Sequence, residues 1–326
     1  MKAILCHAHG APESLAIGEL PDPVAGDGEA LIEVHAASVN FPDVLMVAGK
    51  YQSQPPMPFA PGSEVGGIVR AVGKGITDLV VGDRVMASTG SGGFAEYAVV
   101  RRRGIRKIPA NMDLVTAAAI GVTYGTSFHA LRQRGNLQPG ETLLVTGAAG
   151  GVGLSAVELG KAMGARVIAC ASSARKLEAA RAAGADELID YSSGNIRDRI
   201  KELTDGKGID VAYDAVGGPM FDQLVRSMAW NGRLLIIGFV GGDIPKVAVN
   251  LLLLKGAAAV GVFYGSFAAR DPVLDAKNFD EMFAWIGNGT LKPLVSKVYD
   301  FNDYAAAMNA LAHREVIGKV VLQVRK

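Results

Sequence analysis

The chain has 326 residues, 49% of them hydrophobic and 20% charged, with a formal net charge of +1. That length exceeds what one hydrophobic core usually supports, so two domains are expected, and the apolar content excludes a disordered chain. The near-zero charge gives no global attraction to nucleic acid or to an anionic membrane.

Only Cys6 and Cys170 are present, in no CxxC or His-rich setting, which excludes a disulfide framework and a structural zinc lobe. Both read as small core hydrophobes. At the N-terminus the apolar run extends only from Ala3 to Cys6, too short for a signal peptide. The longest apolar region, "VAVNLLLLKGAAAVGVFYG", is broken by Asn250, Lys255 and Gly256, so it reads as a helix end and a buried strand rather than a membrane span. A cytoplasmic location is expected.

In chain order, residues 1–100 read as short strands: "KAILCHA", "EALIEVHAASVN", "VGGIVRAVG", "GDRVMAS" and "GFAEYAVV". Gly-, Pro- and Asp-rich turns separate them, as in a compact, mostly β domain. Within this part, "APGSEVGGIVRAVG" sets Glu64 between Pro61-Gly62 and Gly66-Gly67. From "MDLVTAAAIGVTYGTSFHALRQRGNL" onward the periodicity is helical. Strands and helices then alternate through "QPGETLLVTGAAGGVGLSAVELGKAMGARVIACASS", "KLEAARAAGADELIDY", "IDVAYDAVG", "FDQLVRSMAWNGRLLIIGF" and "LLLLKGAAAVGVFYG". That alternation indicates an α/β fold with a doubly wound parallel sheet. The C-terminal part has helices and a last strand, expected to return to the first domain.

The strongest local signal is the Gly-rich turn. Leu143 to Thr146 suits a buried strand. Ala148-x-Gly150-x-x-Gly153 then opens a helix, with Ala in the first glycine's place. Small residues here let the amides of Gly150, Gly151, Val152 and Gly153 approach a pyrophosphate at a helix N-terminus. The strand before it and the helix after it supply the context that such a fingerprint needs. A P-loop is excluded, because no Lys-Ser/Thr follows.

About twenty residues beyond such a fingerprint, an NAD site carries an acid for the ribose 2′-hydroxyl. This chain has Ser172, Ser173, Arg175 and Lys176 instead. Two hydroxyls and two cations suit a 2′-phosphate of about two negative charges, hence NADPH. The same serines suit helix caps, and the two uses are compatible at one helix end.

"AASVNFPDVLMVAGKY", "PFAPGSEVGGIV", "VGDRV", "GGFAEYAVV" and "TGAAGGVGLSAVELGKAMGA" follow one another in this order. Together they resemble the zinc-independent quinone oxidoreductases (zeta-crystallin-like) of the medium-chain dehydrogenase/reductase superfamily, over essentially the whole chain. The resemblance implies a GroES-like catalytic domain, 1–122 with 267–326, and a Rossmann NADPH-binding domain, 123–266, with the active site in the cleft between them. It also implies a homodimer formed through the Rossmann domain, by way of the "GAAAVGVFYG" strand.

The zinc alcohol dehydrogenases of that superfamily have Cys where Asn40 stands, His-Glu where Ser63-Glu64 stands, and another Cys near Thr123. Asn40, Ser63 and Thr123 are poor ligands for zinc. Glu64 is then expected to bond within its domain or to a cationic side chain. By the resemblance, Asn40 and Tyr51 lie beside the nicotinamide and Thr123 lines the cleft. Asn40 would orient a ribose or substrate oxygen, and the Tyr51 hydroxyl would meet a developing oxyanion. A turn role for Asn40 and a packing role for Tyr51 fit the same residues.

The resemblance also places Gly238, Phe239, Val240, Phe263 and Tyr264 at the carboxamide and ring of the cofactor, and Tyr191 near the adenosine phosphate. Strand-end packing is the competing reading for each. Chemistry without a metal favours electron-poor acceptors such as quinones or enones. The enoyl-CoA reductases of the superfamily and a catalytically silent NADPH-binding protein are the alternatives. Arg101 to Lys107, "RRRGIRK", reads as a solvated loop or as a contact for an anionic substrate tail. The five histidines form no ligand pattern.

Overall fold

A computed structural model describes residues 1–325. The strands and helices of the first stretch are β1 (Lys2–Leu5), β2 (Ala16–Glu19), β3 (Glu29–Ser38), α1 (Phe41–Val47), β4 (Glu64–Val72), β5 (Arg84–Ser88), β6 (Tyr97–Arg101), β7 (Ile105–Lys107) and α2 (Leu114–Phe128). Next come β8 (Thr142–Thr146), α3 (Gly151–Ala162), β9 (Arg166–Ala171), α4 (Ala174–Ala182), β10 (Glu187–Asp190), α5 (Ile196–Leu203), β11 (Ile209–Asp214), α6 (Met220–Ser227), β12 (Met228–Ile236), α7 (Val249–Lys255) and β13 (Ala258–Gly261). The chain ends with α8 (Tyr264–Arg270), α9 (Pro272–Gly287), β14 (Val295–Asp300), α10 (Tyr304–Ala312) and β15 (Lys319–Gln323).

The chain forms two compact units. One is Met1–Val122 with the chain from Pro293 onward, and the other is Thr123–Lys292. In the first, a mostly antiparallel sheet runs β14-β15-β3-β4-β5-β7, and β6 pairs with β3. Its apolar face includes Ile32, Val34, Val65, Val69, Val85 and Phe94, all buried. The last strand does return here, with Val321 opposite Ser38 and Leu322 opposite Ala37.

The second unit holds a six-stranded parallel sheet in the order β10-β9-β8-β11-β12-β13. Counted from β8, this is the 3-2-1-4-5-6 order of a Rossmann sheet, whose direction reverses between β8 and β11. Leu144, Ile168, Ile189, Ile209, Phe221 and Leu234 fill its core.

The sequence division at residue 267 differs from the structural one over α8 and α9, which lie in the second unit. Side chains from the end of α2 and the π-helical stretch His129–Arg134 hold them there. Phe267 stacks on the His129 ring at 3.9 Å, and Gln133 Nε2 donates to Asn278 Oδ1 at 3.0 Å. Arg132 pairs with Glu281, and Phe128 meets Trp285 at 5.9 Å.

The turn from β8 into α3 is steric in origin. Its left-handed residue is Gly147, at φ 59°, one position before Ala148. A Cβ on Gly153 would stand 2.1 Å from the Gly147 carbonyl oxygen, so the first turn of α3 closes on the strand end only without a side chain. Gly153→Ala is therefore expected to destabilise the protein by about 1–3 kcal/mol. Gly287→Ala, at a helix position with nothing within 4 Å, should instead be neutral to stabilising by up to about 1 kcal/mol when both variants are compared with the native chain by urea unfolding.

Candidate active site

In the first unit the residues around Asn40 form a closed polar cluster. Asn40 is the N-cap of α1, its backbone extended at φ −118° and ψ 155°, with Pro42 inside the first turn. Its main-chain amide donates to Asp43 Oδ2 at 2.8 Å, the return bond of a capping box. Its side-chain Nδ2 donates to Glu64 Oε1 at 2.9 Å and to Ser63 Oγ at 3.3 Å, while its Oδ1 accepts from Lys319 Nζ at 2.6 Å.

Lys319, the first residue of β15, spends its other protons on Glu64 Oε1 at 3.3 Å and the Val39 carbonyl at 3.2 Å. Glu64, the first residue of β4, completes its acceptors with the Val122 amide at 2.8 Å on Oε2. Gly121 permits that approach, since a Cβ there would stand 2.8 Å from Oε2. Asn40, Asp43, Glu64 and Lys319 are all buried, and Ser63 is half-buried.

Asn40 is thus both a helix cap and the centre of a network in which its side-chain amide is fully engaged. The expectation that Glu64 bonds to a cation is met by Lys319. This donor set does not fit zinc, because an ammonium already occupies the acceptor side of the carboxylate and Asn40 and Ser63 offer neutral hard oxygens. Among the described residues, no group of three or more His, Cys, Asp or Glu stands in a metal-holding arrangement.

Asp43 is wholly buried, and burial pushes its carboxyl up to about 7, against the pull of the Asn40 amide and the Lys319 ammonium. Its Oδ1 has no hydrogen-bond partner. Tyr51, half-buried, packs on the core of the first unit. Burial, and then the Asp43 charge, raise its phenol, which stays protonated at neutral pH. Sequence reasoning missed Lys319 and Asp43. A lone Lys opening the apolar run "KVVLQV" and an acid three residues after an N-cap Asn were the available signals.

In the second unit, the first amides of α3, at Gly151, Val152 and Gly153, have no carbonyl a turn earlier to accept from them. Ala148 is buried and ties back to β9 through its amide to the Cys170 carbonyl at 3.0 Å. A Cβ on Gly150 would meet nothing closer than the Gly147 carbonyl at 3.5 Å, so that side of the turn is open. Behind the turn lies a buried hydroxyl cluster. Ser127 Oγ lies 2.8 Å from both Ser155 Oγ and Tyr213 Oη, and 2.9 Å from the Val152 carbonyl. Ser155 Oγ also donates to the Thr123 carbonyl at 3.2 Å, which fixes that buried residue against α3.

Ser172 and Ser173 join β9 to α4. Ser173 is the N-cap by position, yet its side chain makes no capping bond. Arg175 is exposed and makes no ion pair among the described residues, and Lys176 Nζ lies 3.5 Å from Ser172 Oγ. An uncapped helix start with two hydroxyls and two cations fits a bound 2′-phosphate.

At the switch point, Asp214 accepts from Thr146 Oγ1 at 2.6 Å and from the Val216 and Gly217 amides, pinning the loop after β11. Gly238, Phe239 and Val240 follow the carboxyl end of β12, where the Val240 amide donates to the Ala215 carbonyl. Phe263 caps α8 after β13 and is 61% exposed. The Tyr264 ring rests on Gly125, so part of its surface serves packing. Tyr191 opens a short 3-10 turn after β10 and packs partly on the core of this unit.

Of Arg101 to Arg103, Arg102 is engaged within the chain. Arg102 forms a two-pronged pair with Asp78 and donates to the Ile105 carbonyl, and Arg101 faces Glu29 at 4.0 Å.

The sequence matches the family described as "Alcohol dehydrogenase GroES-like domain" over residues 26–110 and that described as "Zinc-binding dehydrogenase" over residues 151–286. It is 38% identical to a quinone oxidoreductase-like protein 2 homolog of Nematostella vectensis, over 100% of this chain and 89% of that one. It is 36% identical to a quinone oxidoreductase of Pseudomonas aeruginosa, over 98% and 99%. Among solved structures, the Escherichia coli quinone oxidoreductase complexed with NADPH superposes with a TM-score of 0.91 at 28% identity, over 99% of this chain and 100% of that one. With its GroES-like and Rossmann units and these relatives along its full length, the chain belongs to the quinone oxidoreductases of the medium-chain dehydrogenase/reductase superfamily.

Proposed function

We propose that the chain is an NADPH-dependent oxidoreductase that reduces quinones or related α,β-unsaturated carbonyl compounds without a catalytic metal. The observation that carries this reading is Lys319 seated against Glu64 and Asn40, where the zinc enzymes of the superfamily carry their ligands. With that place filled by a fixed ammonium, the acceptor is one that delocalises incoming charge onto its own oxygen. NADPH supplies the hydride when bound.

The chain's own residues hold and orient. The first amides of α3 take the pyrophosphate, and Ser172, Ser173, Arg175 and Lys176 take the 2′-phosphate. Gly238, Phe239, Val240, Phe263 and Tyr264, at the ends of β12 and β13, hold the carboxamide and cover the ring, and Tyr191 lies toward the adenosine phosphate. Thr123 supports the nicotinamide side. The Tyr51 hydroxyl makes no hydrogen bond among the described residues, and it donates to the oxygen that gathers charge. The thioester reading finds less support, because Arg102 is spent on Asp78. Two buried free thiols suit a reducing, cytoplasmic setting. The chain acts as a homodimer. β13 is an edge strand, Trp230 lies against Gly256 just before it, and Trp230 and Leu253 are 72% and 78% exposed.

The test of the function is an NADPH-oxidation screen over quinones, enones and short enoyl-CoA thioesters, run with and without a chelator. Turnover of quinones or enones, unaffected by chelation, is the expected result. Exclusive use of the thioesters, or loss of activity on chelation, would refute the reading. Replacing Arg175 and Lys176 by Ala should raise the KM for NADPH about tenfold or more and leave that for NADH nearly unchanged, because each lost charged hydrogen bond costs about 1.5–3 kcal/mol. Light scattering should give a dimer for the native chain and a monomer for Val260→Asp, which places a charge on the edge strand.

A further inference from the structure

We infer that Asp43 is the proton source of the reduction, acting through the Ser63 hydroxyl; this rests on the function proposed above and adds the origin of its proton. Reduction of a quinone or enone by hydride needs one proton for each hydride. The hydride carries one hydrogen and two electrons to carbon, the acceptor's π electrons move to oxygen, and that oxygen must be protonated.

Asp43 is wholly buried on the first turn of α1. One of its oxygens, Oδ2, accepts from the Asn40 amide, and the other, Oδ1, has no hydrogen-bond partner. A buried carboxylate oxygen without a donor is poorly stabilised as an anion and is the natural seat for a proton. Ser63 is held by the same residue, through Asn40 Nδ2, and its hydroxyl is among the groups acting on the Asp43 carboxyl. Ser63 itself is half-buried, so part of it is accessible while Asp43 is sealed.

The charged and titratable groups facing Asp43 are Lys319 from β15, Glu64 from β4 and Tyr51 beyond α1. Burial and the Glu64 charge favour the protonated form, the Asn40 amide, Lys319 and the Ser63 hydroxyl oppose it, and the balance stands at about 7. The acid is thus protonated through the lower physiological range.

The transfer balances. As the substrate oxygen takes the Ser63 hydroxyl proton, Ser63 Oγ takes the Asp43 proton. With an enone, one C–H and one O–H bond form and the cofactor's two electrons end in the C–H bond; with a quinone the same addition gives a keto tautomer, which loses the C–H proton to water and takes one on its second oxygen, giving the hydroquinone. Asp43 is left as a carboxylate facing Lys319, and water returns its proton. Asp43 never touches the substrate, so its part is to hold the proton and hand it on.

Three measurements test this. In the protein without cofactor, infrared difference spectra between pH values on either side of 7 should contain a protonated carboxyl band that Asp43→Asn removes. In quinone reduction, kcat of the native chain should fall as pH rises through about 7. Ser63→Ala should lower kcat about 100-fold and abolish that descending limb, with KM for NADPH nearly unchanged. Ser63→Ala removes one acceptor of Asn40 Nδ2 but leaves the bond from the Asn40 amide to Asp43 in place, so it serves even where Asp43→Asn folds poorly. A descending limb that persists in Ser63→Ala, or that only Tyr51→Phe removes, would overturn the inference and leave the reductase reading intact. A native chain inactive toward every quinone and enone would sink the function itself.

Discussion

A lysine and a glutamate kept out of water on the two strands that flank β3 hold the first unit together. Lys319 and Glu64 each make three polar contacts or complete their valence through Asn40 and Val122. Leaving either ion alone in that interior would cost about 3–5 kcal/mol, so the arrangement is all or nothing. It joins the last strand, the first turn of α1, the start of β4 and the amide of Val122 into one rigid corner. The side-chain amide of Asn40, the Lys319 ammonium and the Glu64 carboxylate are all committed to one another, and of this cluster Asp43 Oδ1 alone is left without a hydrogen-bond partner among the described residues.

The second unit solves a different problem, which is to leave donors unused in a fixed place. The amides at the start of α3 stay available because their helix is held from behind. Ser127, Ser155 and Tyr213 satisfy one another and grip the Val152 carbonyl. Asp214 holds the neighbouring loop through amides and Thr146. Such preorganisation spares the ligand the cost of ordering the turn.

Local features of the fold were legible in the sequence, and distant partnerships were not. The strand–turn–helix at Ala148 to Gly153 is written in adjacent residues, and so are the basic start of α4 and the helix–strand alternation. Glu64 was readable as a carboxylate with a cationic partner, but Lys319 lies 255 residues away and only the folded chain supplies it. The division at 267 failed for the same reason. Nothing near Phe267 announces that it stacks on His129. Nor does the dipeptide Ser172-Ser173 show that the capping position would lack its capping bond. Asp43 was passed over because a capping acid and a buried acid look alike until burial is known.

The position of Lys319 also orders events during synthesis. All six strands of the parallel sheet lie between residues 142 and 261, so the second unit can close while the rest of the chain is still being made. Glu64 and Asn40 emerge early but meet their ammonium only when β15 leaves the ribosome. Until then the first unit is a sheet with an uncompensated carboxylate at its heart. Of the two units, the discontinuous one is therefore completed last on a nascent chain, and a message cut short before β15 yields a protein that can fold its parallel-sheet unit and not the other.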